Sequence, residues 1–389
     1  MLRWLLAGCF IIASLFLLSC DTKQTSSNTG DILIGHVASL TGDTATFGVS
    51  ANEGILLAMD EINAKGGILG GRKIKVLTED DRSLGDEAKT AANKLITKDK
   101  VSAILGEIAS SRSIAIAPVC EDARIPMLSP GSTNPKVTKG FNYVFRNCFI
   151  DPFQGTAMAT YAMDPPPKGL GLKKFAILYP VNSDYGVGLK SFFEEAVQKR
   201  GGQIVATEAY QEKSDTDFHA QLTKLAAANP EAIFVSGYYT EAGLIAKQAR
   251  NDVGLNVPLL GGDGWDSDQT VKIGGKAVDG CYFSNHYSPD EQRPEVQTFV
   301  SAYRAKYSGK TPDAMAILGY DAMRIMADAI TRAGGTDPDK IRDAIASTKD
   351  FPGASGVTTI DKDHNAKKSV VILKITDGQF KYAGTVKPD

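Results

Sequence analysis

The 389-residue chain predicts an α/β protein of two doubly wound units in series. Three observations carry that reading. Short apolar runs alternate with longer amphipathic segments, the rhythm of a parallel sheet with helices on both faces. The rhythm breaks near residue 150, in "YVFRNCFIDPFQG" and the "DPPPKG" punctuation after it, and then restarts. The loops that follow the strands gather small residues, hydroxyls and aromatics on both units.

Taken in order, "DILIGHVAS" reads as the first strand. "SANEGILLAMDEINAKGG" is the first helix, with Ile55, Met59 and Ile62 at helical spacing and Gly66–Gly67 as its stop. "KIKVLTEDD" and "DEAKTAANKLITKD" are the next strand and helix. "VSAILG", a helix through 112–123 and "IPMLSP" complete the first unit. The second runs through the strands "KFAILYP", "QIVATEAY", "AIFVSGY" and "PLLGGDG", with helices in "VGLKSFFEEAVQKRGG", "FHAQLTKLAAANP" and "TEAGLIAKQARNDVG". Past residue 280 the pattern loosens to a long helix in "AMAILGYDAMRIMADAITRAGG" and late strands in "SVVILKITDGQFKYAG".

Ligands of open α/β sheets bind beyond the carboxyl ends of the strands. Here those ends are residues 38–48, 107–113, 129–135, 182–188, 236–243 and 261–268. The cluster at 109–113 (Ala109, Ser110, Ser111, Arg112, Ser113) admits two readings, helix capping or a cradle for a small anion.

Enzyme and nucleic-acid classes find little support. The net charge of −2 offers no basic patch. A dinucleotide fingerprint at Gly186 and Gly188 fails because Ser191 replaces its third glycine, and "SGKTP" (308–312) has Arg304 where a phosphate loop needs glycine. Neither a G-x-S-x-G elbow nor an H-E-x-x-H motif occurs. Asp80 and Asp81 are adjacent on a strand, so their side chains take opposite faces. The four His (36, 219, 286, 364) are scattered and fall outside the strand-end loops, and no cysteines show C-x-x-C spacing. No metal and no cofactor are expected.

At the N-terminus, Arg3 precedes the apolar "LLAGCFIIASLFLL", too short to favour a membrane span. "LLSC" resembles a bacterial lipobox. That implies a signal peptide over 1–19, cleavage before Cys20, a lipid on its thiol, and a polar tether over 20–30 outside the cytoplasm.

"GDTATFG", "ANEGILLAMDEINAKGGILGG", "GEIASSRS", "PMLSPGSTNP", "FRNCFIDPFQG", "NSDYGVGL", "SGYYTEAG" and "GGDGW" together resemble the periplasmic leucine/isoleucine/valine-binding proteins over most of the chain. These are amino-acid receptors of ATP-driven importers. The resemblance implies the type I periplasmic-binding-protein fold, with two Rossmann-like lobes joined by three crossings. Lobe 1 would be 31–150 plus 286–368, and lobe 2 would be 151–285 plus 369–389. It implies that Ser110, Gly131, Ser132 and Thr133 hold the ligand's α-carboxylate. Asp263 would meet the ammonium, and Tyr185 and Tyr238 would close over it. Phe47, Ile108, Ala109 and Met315 would line the side-chain pocket, sized for a branched aliphatic group.

Two departures stand out. Phe47 replaces a Tyr of the leucine-type receptors, and Asp263 is one methylene shorter than their usual Glu. The implied partners are a small amino acid and ABC permease subunits in the membrane; the protein would be a monomer and not an enzyme. The alternative is a sensory ligand-binding module of the same fold for another amino acid or small carboxylate. Of the three cysteines past the leader, Cys120 and Cys148 are expected to pair and Cys281 to stay free, with buried thiols as the alternative.

Overall fold

Strand β1 (Ile32–Ala38) places Ile32 and Ile34 in one hydrophobic cluster and Leu33 and Val37 in another. Period-two alternation of apolar residues on both faces is what a strand covered on both sides requires. The computed structural model describes residues 30–387. The expected signal peptide, Cys20 and all but the last residue of the tether lie outside the described residues. Among those described, no helix is long and apolar enough to cross a membrane.

β1 pairs in parallel with β2 (Ile74–Asp80) and β3 (Ile104–Leu105), and β4 (Met127–Ser129) and β5 (Val144–Arg146) complete a five-stranded sheet of order β2-β1-β3-β4-β5. Its connections are α1 (Ala45–Ala64), α2 (Gly85–Thr97) and α3 (Ser110–Ala123). The supposed break near residue 150 is a helix, α4 (Asp151–Met163), which accepts Pro152 in its first turn, where no backbone donor is needed.

The second sheet repeats the pattern with β6 (Lys174–Pro180), β7 (Gln203–Tyr210), β8 (Ala232–Val235), β9 (Leu259–Gly261) and β10 (Tyr282–Asn285). These are connected by α5 (Asp184–Lys199), α6 (His219–Ala227), α7 (Tyr239–Asn251) and α8 (Asp268–Gly274). Phe175 and Ile177 face one core while Ala176 and Leu178 face another.

The chain then returns to the first lobe. There α9 (Pro294–Lys306), α10 (Ala314–Ala333) and α11 (Pro338–Ala346) share a core with β1 and α1. After the hairpin of β11 (Phe351–Gly353) and β12 (Gly356–Thr358), β13 (Val370–Thr376) adds antiparallel to β10, and β14 (Gln379–Val386) forms the edge. The chain thus passes between the lobes after β5, after β10 and before β13. This is the expected α/β architecture of two doubly wound lobes joined by three crossings.

The expected Cys120–Cys148 bridge is absent, and all three described cysteines are free and buried. Cys120 sits on α3 in the core on one side of the first sheet, while Cys148 lies past β5 in the core at the lobe interface. The sheet separates them. Burial pushes the thiols of Cys120 and Cys148 up to about 12 and that of Cys281 up to about 11.

Candidate functional site

In both sheets the connection reverses direction beside the first strand, at β1/β3 and at β6/β8, and ligand crevices form at such switch points. The loops after those four strands meet across the lobe interface. With the loops after β4 and β9 they surround a small cavity between the lobes. Phe47, Ile108, Ser110, Gly131, Thr133, Tyr185, Tyr238, Asp263 and Met315 all line it. Ser132 and Ala109 do not.

On the first lobe the serines divide into two groups. Glu107 is buried and its carboxylate accepts from Ser39 N and Oγ, Ala109 N and Arg112 Nε. Its backbone carbonyl accepts from the hydroxyls of Ser113, Ser129 and Ser132. Ser132 is therefore spent on holding the loop, and Ala109, the N-cap of α3, on shaping it. Arg112 is likewise committed, to Glu107 at 3.1 Å and to the hydroxyl of Thr44 at 2.6 Å.

Ser110 instead begins α3 beside the cavity, and its Oγ accepts from Asn134 N at 3.2 Å, which leaves the hydroxyl proton to donate. Gly131 leaves room for the cavity wall: a Cβ there would stand 3.2 Å from Met315 Sδ and 3.4 Å from Ile108, and both side chains would have to shift. Thr133 accepts at its carbonyl from Asp151 N, the first amide of α4. The cavity's first-lobe wall thus joins hydroxyls to a helix N-terminus, a combination that favours an anion.

The second lobe supplies the opposite charge. Asp263 opens the short 3-10 turn Asp263–Trp265 after β9 and is buried. Its Oδ1 accepts from Gln154 Nε2 at 2.8 Å and from the Tyr185 hydroxyl at 2.9 Å. Its Oδ2 lies 2.9 Å from His286 Nε2. Burial holds the His286 imidazole below its ordinary value against the pull of Asp263, so the ring is neutral and donates from Nε2. Asp263 therefore has three neutral donors, and among the described residues no Lys or Arg contacts it. Tyr185 is oriented at both ends, donating to Asp263 and accepting from Gly264 N at 3.1 Å. A side chain at Gly262 would collide with its hydroxyl at 2.3 Å. Its ring stacks on Tyr238 with centroids 5.1 Å apart, and Phe47 meets Tyr238 edge-on from the first lobe.

Two of these groups were not read from the sequence. Gln154 lies on α4, the helix taken for a break. His286 follows β10, outside the strand-end loops, and reaches the site only through the Asp263 carboxylate. Stacked on Phe149 and with its side chain fully buried, His286 supports the carboxylate from behind and does not face the cavity.

Contacts away from the cavity hold the lobes together. Asn134 Nδ2 donates to Asp184 O at 2.6 Å, Lys136 pairs with Asp184 at 3.0 Å, and the Tyr239 hydroxyl donates to Asp43 O at 2.6 Å. Lys213 Nζ reaches Ser83 O at 2.8 Å. This is a closed arrangement.

A family model described as periplasmic binding protein matches residues 31–379. The Leu/Ile/Val-binding protein homolog 3 of Brucella melitensis is 30% identical over 356 residues, covering 90% of this chain and 93% of the relative. A crystal structure of the leucine-binding protein LivK of Thermotoga maritima is 42% identical with a TM-score of 0.87, covering 92% of this chain and 99% of that one. The branched-chain amino acid transporter substrate-binding protein LivJ of Streptococcus pneumoniae, solved with isoleucine, is 36% identical with a TM-score of 0.86, covering 92% and 100%. The chain belongs to the periplasmic binding protein family.

Proposed function

We propose that this protein captures a small L-amino acid with a branched aliphatic side chain and presents it to an ABC permease. The observation that carries the reading is the Asp263 carboxylate, buried on one wall of the interlobe cavity and held by Gln154, Tyr185 and His286, with no Lys or Arg among the described residues in contact with it. Its counter-charge comes from the ligand, and an α-ammonium supplies it. The opposite wall offers the hydroxyls of Ser110 and Thr133 and the backbone at Gly131 to the α-carboxylate, with each charge-assisted bond contributing about 1.5–3 kcal/mol. Tyr185 and Tyr238 flank the ammonium and add cation–π attraction. Phe47, Ile108 and Met315 form the apolar end.

Neither lobe alone satisfies both ligand charges, so ligand favours the closed state, and the closed state is what a permease reads. Binding and release need no chemistry on the ligand; the protein acts as a monomeric receptor rather than an enzyme. Its place is outside the cytoplasm, tethered by a lipid on Cys20. Isothermal titration with L-leucine, L-isoleucine and L-valine tests the ligand class. Saturable binding of at least one of them is expected, and failure of all three refutes the reading.

A further inference from the structure

The start of α10 is held from both lobes. Its N-cap, Asp313, accepts from Ala316 N at 2.9 Å through Oδ1 and from the Ser50 hydroxyl at 2.6 Å through Oδ2. Its first amide, Ala314 N, is not capped from within the helix. It donates at 2.7 Å to Asp266 Oδ2, which comes from the second lobe. Asp266 is only 3% exposed and directly follows the turn that carries Asp263. The residue after Ala314 is Met315, a wall of the ligand cavity. One hydrogen bond therefore ties the turn that bears the ammonium partner to the helix that bears the side-chain pocket. The neighbouring Ser267 hydroxyl reaches Thr46 Oγ1 of the first lobe at 3.2 Å and reinforces the contact.

We propose that Asp266 is a positioning residue that clasps the N-terminus of α10 when the lobes close. The proposal rests on the ligand-driven closure proposed above.

Titration calorimetry with L-leucine, beside thermal melts without ligand, tests the clasp. D266A should bind at least about tenfold more weakly, having lost a buried hydrogen bond to a carboxylate oxygen. D266N, which keeps an oxygen acceptor for Ala314 N, should bind within about threefold of wild type and melt like it. D266A binding within about twofold of wild type, or D266N binding as weakly as D266A, overturns the clasp. If wild type binds none of L-leucine, L-isoleucine and L-valine, the receptor reading fails and takes the clasp with it.

Discussion

Asp263→Asn removes one charge from the cavity and almost nothing from its shape. Alanine at this position is a poorer probe. It would strand the Tyr185 hydroxyl and His286 Nε2, each a buried donor whose orphaning costs about 1–3 kcal/mol, and so mix loss of fold with loss of site. Gln154 would keep its bond to Ser284 Oγ at 3.0 Å. Asparagine keeps an oxygen for Gln154 and Tyr185. Its new NH2 faces His286 Nε2, which accepts once the imidazole proton moves to Nδ1; that leaves one unpartnered buried donor where alanine would leave two. The fold is therefore retained while the ammonium loses its only counter-charge. The loss of one charge-assisted hydrogen bond, about 1.5–3 kcal/mol, corresponds to roughly a 10- to 150-fold rise in Kd. Calorimetry with L-leucine at pH 7, beside a thermal melt without ligand, measures both effects. A variant that melts like wild type and binds within threefold of it (about 0.7 kcal/mol) refutes the assignment.

Gly131→Ala should weaken binding by roughly tenfold, because the added methyl forces Met315 and Ile108 into the cavity; unchanged affinity in calorimetry would contradict the wall described here. The native protein should react with Ellman's reagent at pH 8 only after unfolding, and then show three thiols beyond any in the N-terminal segment; fewer would restore the bridge between Cys120 and Cys148. Asp151 is buried, and burial pushes its carboxyl up to about 8, helped by the Asp263 charge. A value raised by folding contributes stability that is lost as pH climbs from about 4 to 8. The advantage of Asp151→Asn over wild type should therefore grow by about 1–3 kcal/mol between pH 5 and pH 7 in denaturant unfolding. A constant difference would show that Asp151 is ionised in the fold throughout.

Local pattern was enough for the strands and helices whose apolar residues keep one period. Ile32 and Ile34 against Leu33 and Val37, and Phe175 and Ile177 against Ala176 and Leu178, announce strands covered on both faces. The loops at the ends of those strands were legible in the same way, but the role of each cavity residue came from the family resemblance, and Met315 lies on α10. Helix α4 was not legible, since Pro152 and Gly155 are breakers in isolation. In the fold, Pro152 occupies the first turn, and Gly155 allows a close approach to α5, where a Cβ would sit 2.7 Å from Phe193 N. The partners of Asp263 were hidden for another reason: Gln154, Tyr185 and His286 lie 109, 78 and 23 residues away from it. Ser132 misled because a serine in a binding loop looks the same whether it faces ligand or scaffold. Only its bonds to the carbonyls of Glu107 and Ile108 tell which. The cysteine pairing failed because separation along the chain carries no information about which side of a sheet a residue occupies.

The central claim is that ligand closes two lobes whose walls carry opposite chemistry. Small-angle scattering of the protein without ligand and with saturating L-leucine tests it most directly. The account predicts a smaller radius of gyration with ligand, and a D263N protein that stays mostly expanded at a ligand concentration about equal to the wild-type Kd. A wild-type radius of gyration that does not change at saturation, with binding verified in the same sample, would contradict it.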